Sequence, residues 1–182
     1  MSIQKIAIVS DTGIALPDYI SYEKSFTQTG KPVCISSQGL FLVPHTININ
    51  GKDYYDQIDI TTSQMVQFMN KCPKKNYLTS APSPSRFLET FLQVPKRYTS
   101  ILCIPLSSKL SASYSAAQMA VNEAKKISNI HKITLVDSET ATGNLGLIVL
   151  KLQEIANQGG SVTHLLNTIK EINLSLGMFG YL

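Results

Sequence analysis

Apolar residues along the chain fall into short continuous runs that alternate with longer stretches where they recur every three or four positions. Continuous runs are typical of strands buried on both faces, and the periodic stretches are typical of amphipathic helices. Repeated strand–helix units predict an α/β fold with three α/β/α layers and a mainly parallel sheet. The four runs that precede a helical pattern are Lys5–Ser10, Lys75–Ser80, Tyr98–Ser107 and Lys132–Ser138.

The periodic stretches carry the start and stop signals of helices. Ser83–Pro84 is typical of a helix N-terminus, and Thr61 with Gln64 resembles a capping box. A helix is also predicted after the first run, over residues 11–20. The longest apolar stripe, which two glycines end, consists of Leu145, Ile148, Val149, Leu152 and Ile155.

Two segments interrupt this alternation. The polar stretch between Ser21 and Pro44 fits neither pattern. After it, Phe41–Ile60 alternates between apolar and polar residues and contains an Asn50–Gly51 pair, which predicts a small hairpin.

The last part of the chain predicts a change of domain. A further helix pattern follows the candidate cap Ser161, and the sequence then runs into the apolar stretch LSLGMFGYL. We therefore expect residues 1–160 to form an N-terminal α/β domain and residues 161–182 to begin a second α/β domain that is truncated.

Composition narrows the class of protein. The chain has 182 residues, of which 43% are hydrophobic and 15% charged, as in globular domains. Its net charge is only +4 and its basic residues are scattered along the chain, so we expect no nucleic-acid partner. The three cysteines lack the spacing of a zinc site or a disulfide framework. No run approaches the roughly 18 to 20 apolar residues of a membrane span, and no signal peptide is evident, so a cytoplasmic protein is expected.

Two hydroxyl-rich segments, LTSAPSPSRF and PLSSKLSASYSAAQMA, lie between a predicted strand and the next helix. Ligands of open parallel sheets bind at the carboxyl ends of the strands, where the positive ends of helices also point. Hydroxyl groups at such a position can hold a small anion, either a carboxylate or a phosphate. The hydroxyl residues placed there are Thr79, Ser80, Ser107, Ser108 and Ser111.

Simpler interpretations stay open at this point. Ser83 and Ser111 can each be a helix cap, and Asp11 and Asp137 are better explained by turn or capping hydrogen bonds than by chemistry. The enzymatic alternative is a phosphatase-like or phosphoryl-transfer protein in which these two aspartates hold a metal ion.

Other enzyme classes fit less well. The chain has no G-x-S-x-G motif, and the pattern places His45, His131 and His164 away from the serine loops, which disfavours a serine hydrolase. TGNLG, at residues 142–146, is an incomplete dinucleotide fingerprint, and its glycines are expected to permit close packing.

The order and form of several motifs resemble the DegV family of fatty-acid-binding proteins. They are SDT near the N-terminus, VPHTININGKDYYDQIDI, TSAPSPSRFLETF, IPLSSKLSASYSAAQMA and VDSETATGNLGLIVLKLQEIANQGGS. The resemblance covers the chain except for residues 20 to 40 or so. The combination of TSAPS with LSASYSAA is its most specific part.

The resemblance implies a function and a site. Thr79 and Ser111 would hold the carboxylate of a long-chain fatty acid, and the secondary contacts would come from Ser80, Ser108, Ala112 and Ser113. In two-component fatty acid kinases, a DegV-like subunit presents the acid to a separate ATP-using subunit, which forms the acyl phosphate for phospholipid synthesis. The binding subunit would have no catalytic residue, metal or cofactor.

The resemblance also implies a larger second domain that closes over the acyl chain as a lid. This chain reaches only its beginning, at residues 161–182. A third interpretation is therefore a truncated paralogue that acts only as a protein-interaction module.

Overall fold

The computed structural model describes residues 5–16, 23–26, 32–35, 39–175 and 177. The rest of the segment that fits neither pattern, and residues 178–182 of the predicted second domain, lie outside these ranges. The described elements are β1 (Ile6–Asp11), β2 (Glu23–Phe26), β3 (Pro32–Ile35), β4 (Leu40–Val43), β5 (Thr46–Ile49), β6 (Lys52–Tyr55), α1 (Thr62–Lys71), β7 (Tyr77–Ser80), α2 (Pro84–Gln93), β8 (Ser100–Cys103), α3 (Ser113–Ala124), β9 (Lys132–Leu135), α4 (Thr142–Asn157) and α5 (Val162–Ser175).

The main sheet has six strands in the order β2-β3-β4-β1-β8-β9. β4, β1, β8 and β9 are parallel neighbours, whereas β2 and β3 pair in antiparallel fashion at one edge. β1 lies in the middle, with Ile8 paired to Leu40 on one side and to Leu102 on the other. The predicted α/β class with a mainly parallel sheet is confirmed.

Alternate residues of the central strands supply two separate cores. Ile6 and Ile8 of β1 pack with α4 and α5 on one face of the sheet, whereas Ala7 and Val9 pack with α2 and α3 on the other. This division follows from the two-residue period of a strand. It confirms the three-layer arrangement and explains why β1, β4 and β8 are apolar at nearly every position.

One strand that was predicted for the parallel sheet belongs to a different sheet. Tyr77–Ser80 forms β7, which pairs antiparallel to β5 in a separate three-stranded sheet of order β6-β5-β7. Its place in the parallel sheet is taken by β4, whose four residues are all buried. The physical difference is burial, because Leu78, Thr79 and Ser80 are exposed and suit an antiparallel sheet with one open face.

The predicted hairpin is confirmed for β5 and β6. Asn50 and Gly51 both have positive φ angles, 51° and 85°, as a two-residue turn of type I′ requires. The Asn48 side-chain oxygen also accepts a hydrogen bond from the Gly51 N–H at 2.9 Å. The tight turn therefore fixes the register of the small sheet.

The prediction of a helix over residues 11–20 is wrong for residues 11–16, which are the ones that the structure describes. Residues 12–16 are irregular, and Ile14 forms a bridge with Thr142 at the start of α4. The Thr142 N–H donates to the Gly13 carbonyl, and the Ala15 N–H donates to the Thr142 carbonyl, both at 3.0 Å. These bonds to a distant segment satisfy backbone groups that a helix would otherwise pair locally.

The remaining helix signals are largely confirmed. Thr61 and Gln64 form the predicted capping box of α1, and the Ser161 hydroxyl accepts from the backbone N–H of His164 in α5. α2 begins at Pro84, but the Ser83 hydroxyl lies 2.9 Å from the Ser85 hydroxyl and makes no capping bond.

α5 packs into the same core as α4. Leu165 and Ile169 are buried in the cluster that also contains Ile6 and Ile8 of β1. This packing ties residues 162–175 to the first domain's core, and the predicted second domain stays a prediction.

The start of α4 offers a test of this packing. A methyl group at Gly146 would overlap the carbonyl oxygen of Ala15, whereas one at Gly143 would meet nothing within 4 Å. We expect Gly146→Ala to lower the free energy of unfolding by about 1–3 kcal/mol. The matched Gly143→Ala should leave it unchanged or raise it by up to about 1 kcal/mol. Urea denaturation of both variants checks this, and equal stability of the two would contradict the close contact.

Candidate ligand-binding site

Asp11, at the end of β1, joins loops from three strand ends. Its carboxylate is fully buried and accepts hydrogen bonds from the backbone N–H groups of Gly13 at 2.9 Å and Leu106 at 3.0 Å. Its Oδ1 also lies 3.7 Å from Nε2 of His45, which follows β4. The turn role expected for Asp11 is confirmed.

Asp137 holds the same β8–α3 loop farther along. It accepts hydrogen bonds from the backbone N–H of Ser108 at 3.1 Å, from the Ser108 hydroxyl, and from the backbone N–H of Glu139 at 3.1 Å. Burial raises the pKa of Asp137, but these bonds outweigh burial and hold the pKa below its ordinary value of 3.8. The Ser107 N–H also donates to the Thr140 carbonyl, so the loop is fixed at consecutive residues.

These contacts bear on the metal-dependent alternative. Both oxygens of Asp11 accept backbone hydrogen bonds in a fully buried position, and Asp137 is bonded to Ser108. The two aspartates therefore act as supports of one loop. Within the described ranges, no group of three or more His, Cys, Asp or Glu residues is arranged to hold a metal ion.

Ser111 and Ser113 lie where this loop enters α3. Ser111 is half-buried, and its hydroxyl oxygen accepts from the Ser113 N–H at 3.1 Å and lies 3.1 Å from the Ser113 hydroxyl oxygen. Ser113 is fully buried and begins the helix, and Ala112 is the exposed N-cap residue. Ser111 therefore lies just before the N-cap, bonds to the first residue of the helix, and remains partly accessible.

His45 belongs to this cluster, contrary to the expectation that it lies away from the serine loops. Its Nε2 lies 3.1 Å from the Ser113 hydroxyl oxygen, and its backbone N–H donates to the Thr12 hydroxyl at 3.0 Å. The sequence held a usable signal, because His45 follows the apolar run of β4 by two residues. Once β4 is assigned to the parallel sheet, His45 falls at the same carboxyl edge as Asp11.

Two further side chains lie beside this edge and were not predicted from the sequence. Arg86 of α2 donates to the Pro44 carbonyl at 3.3 Å and lies 3.8 Å from the centre of the Tyr55 ring, and burial lowers its pKa. Burial raises the pKa of Asp56 above its ordinary value, against the lowering effects of a hydrogen bond from Thr12 and the charge of His45. Arg86 lies within the hydroxyl-rich segment LTSAPSPSRF but was not predicted as a site residue, and Asp56 lies outside both segments.

Thr79 and Ser80 reach the site's neighbourhood through the small sheet. Both are exposed on β7, where Ser80 pairs with Thr46, the residue directly after His45. The expectation that Thr79 ends a parallel strand is wrong. In the part of the chain that the structure describes, no hydrogen bond joins either side chain to Ser111, so their shared binding of a ligand stays a prediction.

A family profile described as uncharacterised proteins of the DegV family matches residues 5–180. The chain belongs to the DegV family. The resemblance carried by the sequence motifs is thereby confirmed.

DegV relatives are longer than this chain. A DegV domain-containing protein of Caldanaerobacter subterraneus subsp. tengcongensis is 31% identical over 168 residues, which cover 92% of this chain and 53% of the relative. One from Clostridium acetobutylicum is 31% identical over 170 residues, again covering 92% and 53%. The chain spans about half the length of these curated relatives.

Solved structures of fatty-acid-binding and fatty-acid-loaded proteins share the fold. A DegV family protein from Thermus thermophilus, described for its fatty acid binding, gives a TM-score of 0.73 at 24% identity and covers 94% of this chain and 54% of that one. A stearic acid-binding protein from Eubacterium ventriosum gives 0.74 at 22%, covering 91% and 52%. The Streptococcus pneumoniae Fatty Acid Kinase (Fak) B3 protein, loaded with linoleic acid, gives 0.67 at 23%, covering 92% and 54%.

Within the described residues of this DegV chain, no helix combines the length and the apolar character needed to cross a membrane.

The support that Asp137 gives to the loop predicts a pH dependence of stability. Because the pKa of folded Asp137 lies below 3.8, the ionised carboxylate stabilises the fold above that value, and this contribution is lost as pH falls through the folded pKa. The stability difference between wild type and Asp137→Asn should therefore shrink from about pH 7 to about pH 3.

Thermal unfolding across that range measures this difference. Glu171→Gln, at an exposed position on α5, is the matched control and should show no comparable change. A difference between wild type and Asp137→Asn that stays constant down to the lowest pH would contradict the prediction.

Proposed function

We propose that the protein binds a long-chain fatty acid and holds its carboxylate with the hydroxyl groups of Ser111 and Thr79. The observation that carries this proposal is the placement of Ser111 at the start of α3, partly accessible and fixed by the buried Ser113. Three solved proteins with this fold are described as binding, or as loaded with, a fatty acid, which supports the choice of ligand.

The electrostatics of this position suit an anion. α3 has 12 residues, and its N-terminal end carries unpaired N–H groups and the positive end of the helix dipole. The loop before it is held by Asp11 through Leu106 and by Asp137 through Ser108, and both carboxylates are engaged by these bonds. A ligand carboxylate would therefore meet donors rather than free acidic groups.

Thr79 supplies the second proposed contact. Its side chain is exposed, and its strand runs antiparallel to β5, which begins beside His45. The exposed hydroxyl is free of the structural bonds that occupy Ser108 and Ser113. Ser80, Ser108, Ala112 and Ser113 remain proposed secondary contacts, and Ser113 acts behind the ligand because it is fully buried.

The tail and the head of the ligand would contribute differently to its binding. Burial of methylene groups stabilises by about 0.8 kcal/mol each, so a C16 to C18 chain offers on the order of 10 kcal/mol before ordering costs. A hydrogen bond to a charged carboxylate contributes about 1.5–3 kcal/mol. The tail would dominate affinity, and the head contacts would fix which end of the molecule is presented.

The proposed partner is a separate ATP-using kinase subunit. The protein would present the carboxylate for conversion to an acyl phosphate and contribute no catalytic residue or cofactor itself. Similarity to the pneumococcal Fatty Acid Kinase (Fak) B3 protein supports this role. We place the process in the cytoplasm, and we assign the cover of the acyl chain to the second domain that the family resemblance implies.

The ligand proposal is tested by organic extraction of the full-length natural protein, followed by mass spectrometry. We expect a C14 to C18 fatty acid at a ratio of about one per protein molecule. Purified protein that carries no such acid, and takes up none when it is offered, would overturn the proposal.

The head-group proposal is tested by the double variant Thr79→Ala with Ser111→Ala. Losing two charge-assisted hydrogen bonds should slow kinase-dependent acyl-phosphate formation at least tenfold, while retention of the fatty acid falls much less. The control is Ser115→Ala with Thr163→Ala, which removes two exposed hydroxyls from α3 and α5. Equal losses of phosphorylation and retention would count against the division between head and tail.

A further inference from the structure

We infer that His45 is a positioning residue that directs the Ser111 hydroxyl hydrogen toward the bound carboxylate. It acts through the Ser113 hydroxyl and touches no ligand itself. The inference rests on the proposed function and deepens it, because it assigns the head-group selectivity of the site to a residue outside both hydroxyl-rich motifs.

The contacts form a short relay. Nε2 of His45 lies 3.1 Å from the Ser113 hydroxyl oxygen, which lies 3.1 Å from the Ser111 hydroxyl oxygen. Ser113 is fully buried, so its single hydrogen goes to one of these two neighbours. The direction of the Ser113 hydrogen therefore determines whether the Ser111 hydroxyl can donate to a ligand.

Two directions of donation are possible in this relay. If Nε2 donates to Ser113, the Ser113 hydroxyl donates to Ser111. The Ser111 oxygen then accepts from both the hydroxyl and the backbone N–H of Ser113, and its own hydrogen is left for a ligand. If Nε2 accepts instead, the Ser113 hydrogen turns to His45, and the Ser113 oxygen becomes an acceptor for the Ser111 hydrogen.

The surroundings of His45 favour donation from Nε2. Oδ1 of Asp11 lies 3.7 Å from Nε2, and Asp56 interacts electrostatically with the same ring. A carboxylate oxygen beside Nε2 repels a lone pair and attracts an N–H, so the position of Asp11 favours the tautomer with its hydrogen on Nε2. The backbone of His45 is itself fixed by the bond from its N–H to the Thr12 hydroxyl.

Donation from His45 through Ser113 to Ser111 has a chemical consequence for ligand choice. A Ser111 hydroxyl that already accepts two hydrogen bonds is left as a donor, so it matches a group that only accepts, such as an ionised carboxylate. A fatty alcohol gains less, because it lacks the charge that strengthens the bond. His45 should therefore affect the acid and leave binding of the alcohol nearly unchanged.

The experiment compares palmitate with hexadecanol, which has the same chain length, by calorimetric titration of the full-length natural protein. His45→Leu should raise the Kd for palmitate about tenfold and change the Kd for hexadecanol less than about twofold. His45→Gln, whose amide can donate from the position of Nε2, should restore palmitate binding to within about threefold of wild type. His164→Leu, at an exposed histidine of α5, is the control and should match wild type.

If His45→Leu does not fold, His45→Met, which also lacks an N–H donor in its side chain, replaces it. Ser113→Ala removes the oxygen that competes for the Ser111 hydrogen, so it should leave the Kd for palmitate within about threefold of wild type. In the Ser113→Ala background, removal of the His45 donor should have no further effect, because His45 acts only through the Ser113 hydroxyl. Equal losses for acid and alcohol in the His45 variant, or no loss for the acid, would overturn the inference while leaving the fatty-acid proposal intact. Wild-type protein that binds neither compound would overturn both.

Discussion

A buried carboxylate needs hydrogen-bond donors, and Asp11 finds them in backbone groups that are far apart in the sequence. Gly13 lies two residues farther along the chain, whereas Leu106 comes from the loop after β8. An Asp without these partners would be costly in a fully buried position. The β8–α3 loop is therefore fixed relative to the central strand, and the position of Ser111 depends on that fixed loop.

Two sheets meet at the edge that carries the candidate site, and each contributes different groups to it. The parallel sheet supplies supported loops and a helix start, where hydrogen bonds hold Ser108 and Ser113 in place. The small antiparallel sheet supplies exposed hydroxyls on β7, beside the beginning of β5. Rigid polar groups behind the edge and accessible groups in front of it are what a preorganised binding site requires.

Continuous apolar runs allowed the parallel sheet, its helices and the Ser111 loop to be predicted, because burial on both faces leaves a clear pattern. Two errors share one cause. Tyr77–Ser80 and Leu40–Val43 are both short runs, and the sequence does not state that only the second is buried on both faces. Assigning the wrong run to the parallel sheet also hid His45, whose contact with Ser113 depends on tertiary pairing.

The central position of β1 has a consequence for synthesis of the chain. β1 is made first, yet its partners β4 and β8 lie at residues 40–43 and 100–103, and Thr142 closes the bridge to Ile14. Contacts between such distant segments form slowly because long loops must close first. The strand IAIVSD, apolar in its first four residues, therefore leaves the ribosome well before its neighbours, and its apolar side chains stay uncovered by them until they emerge.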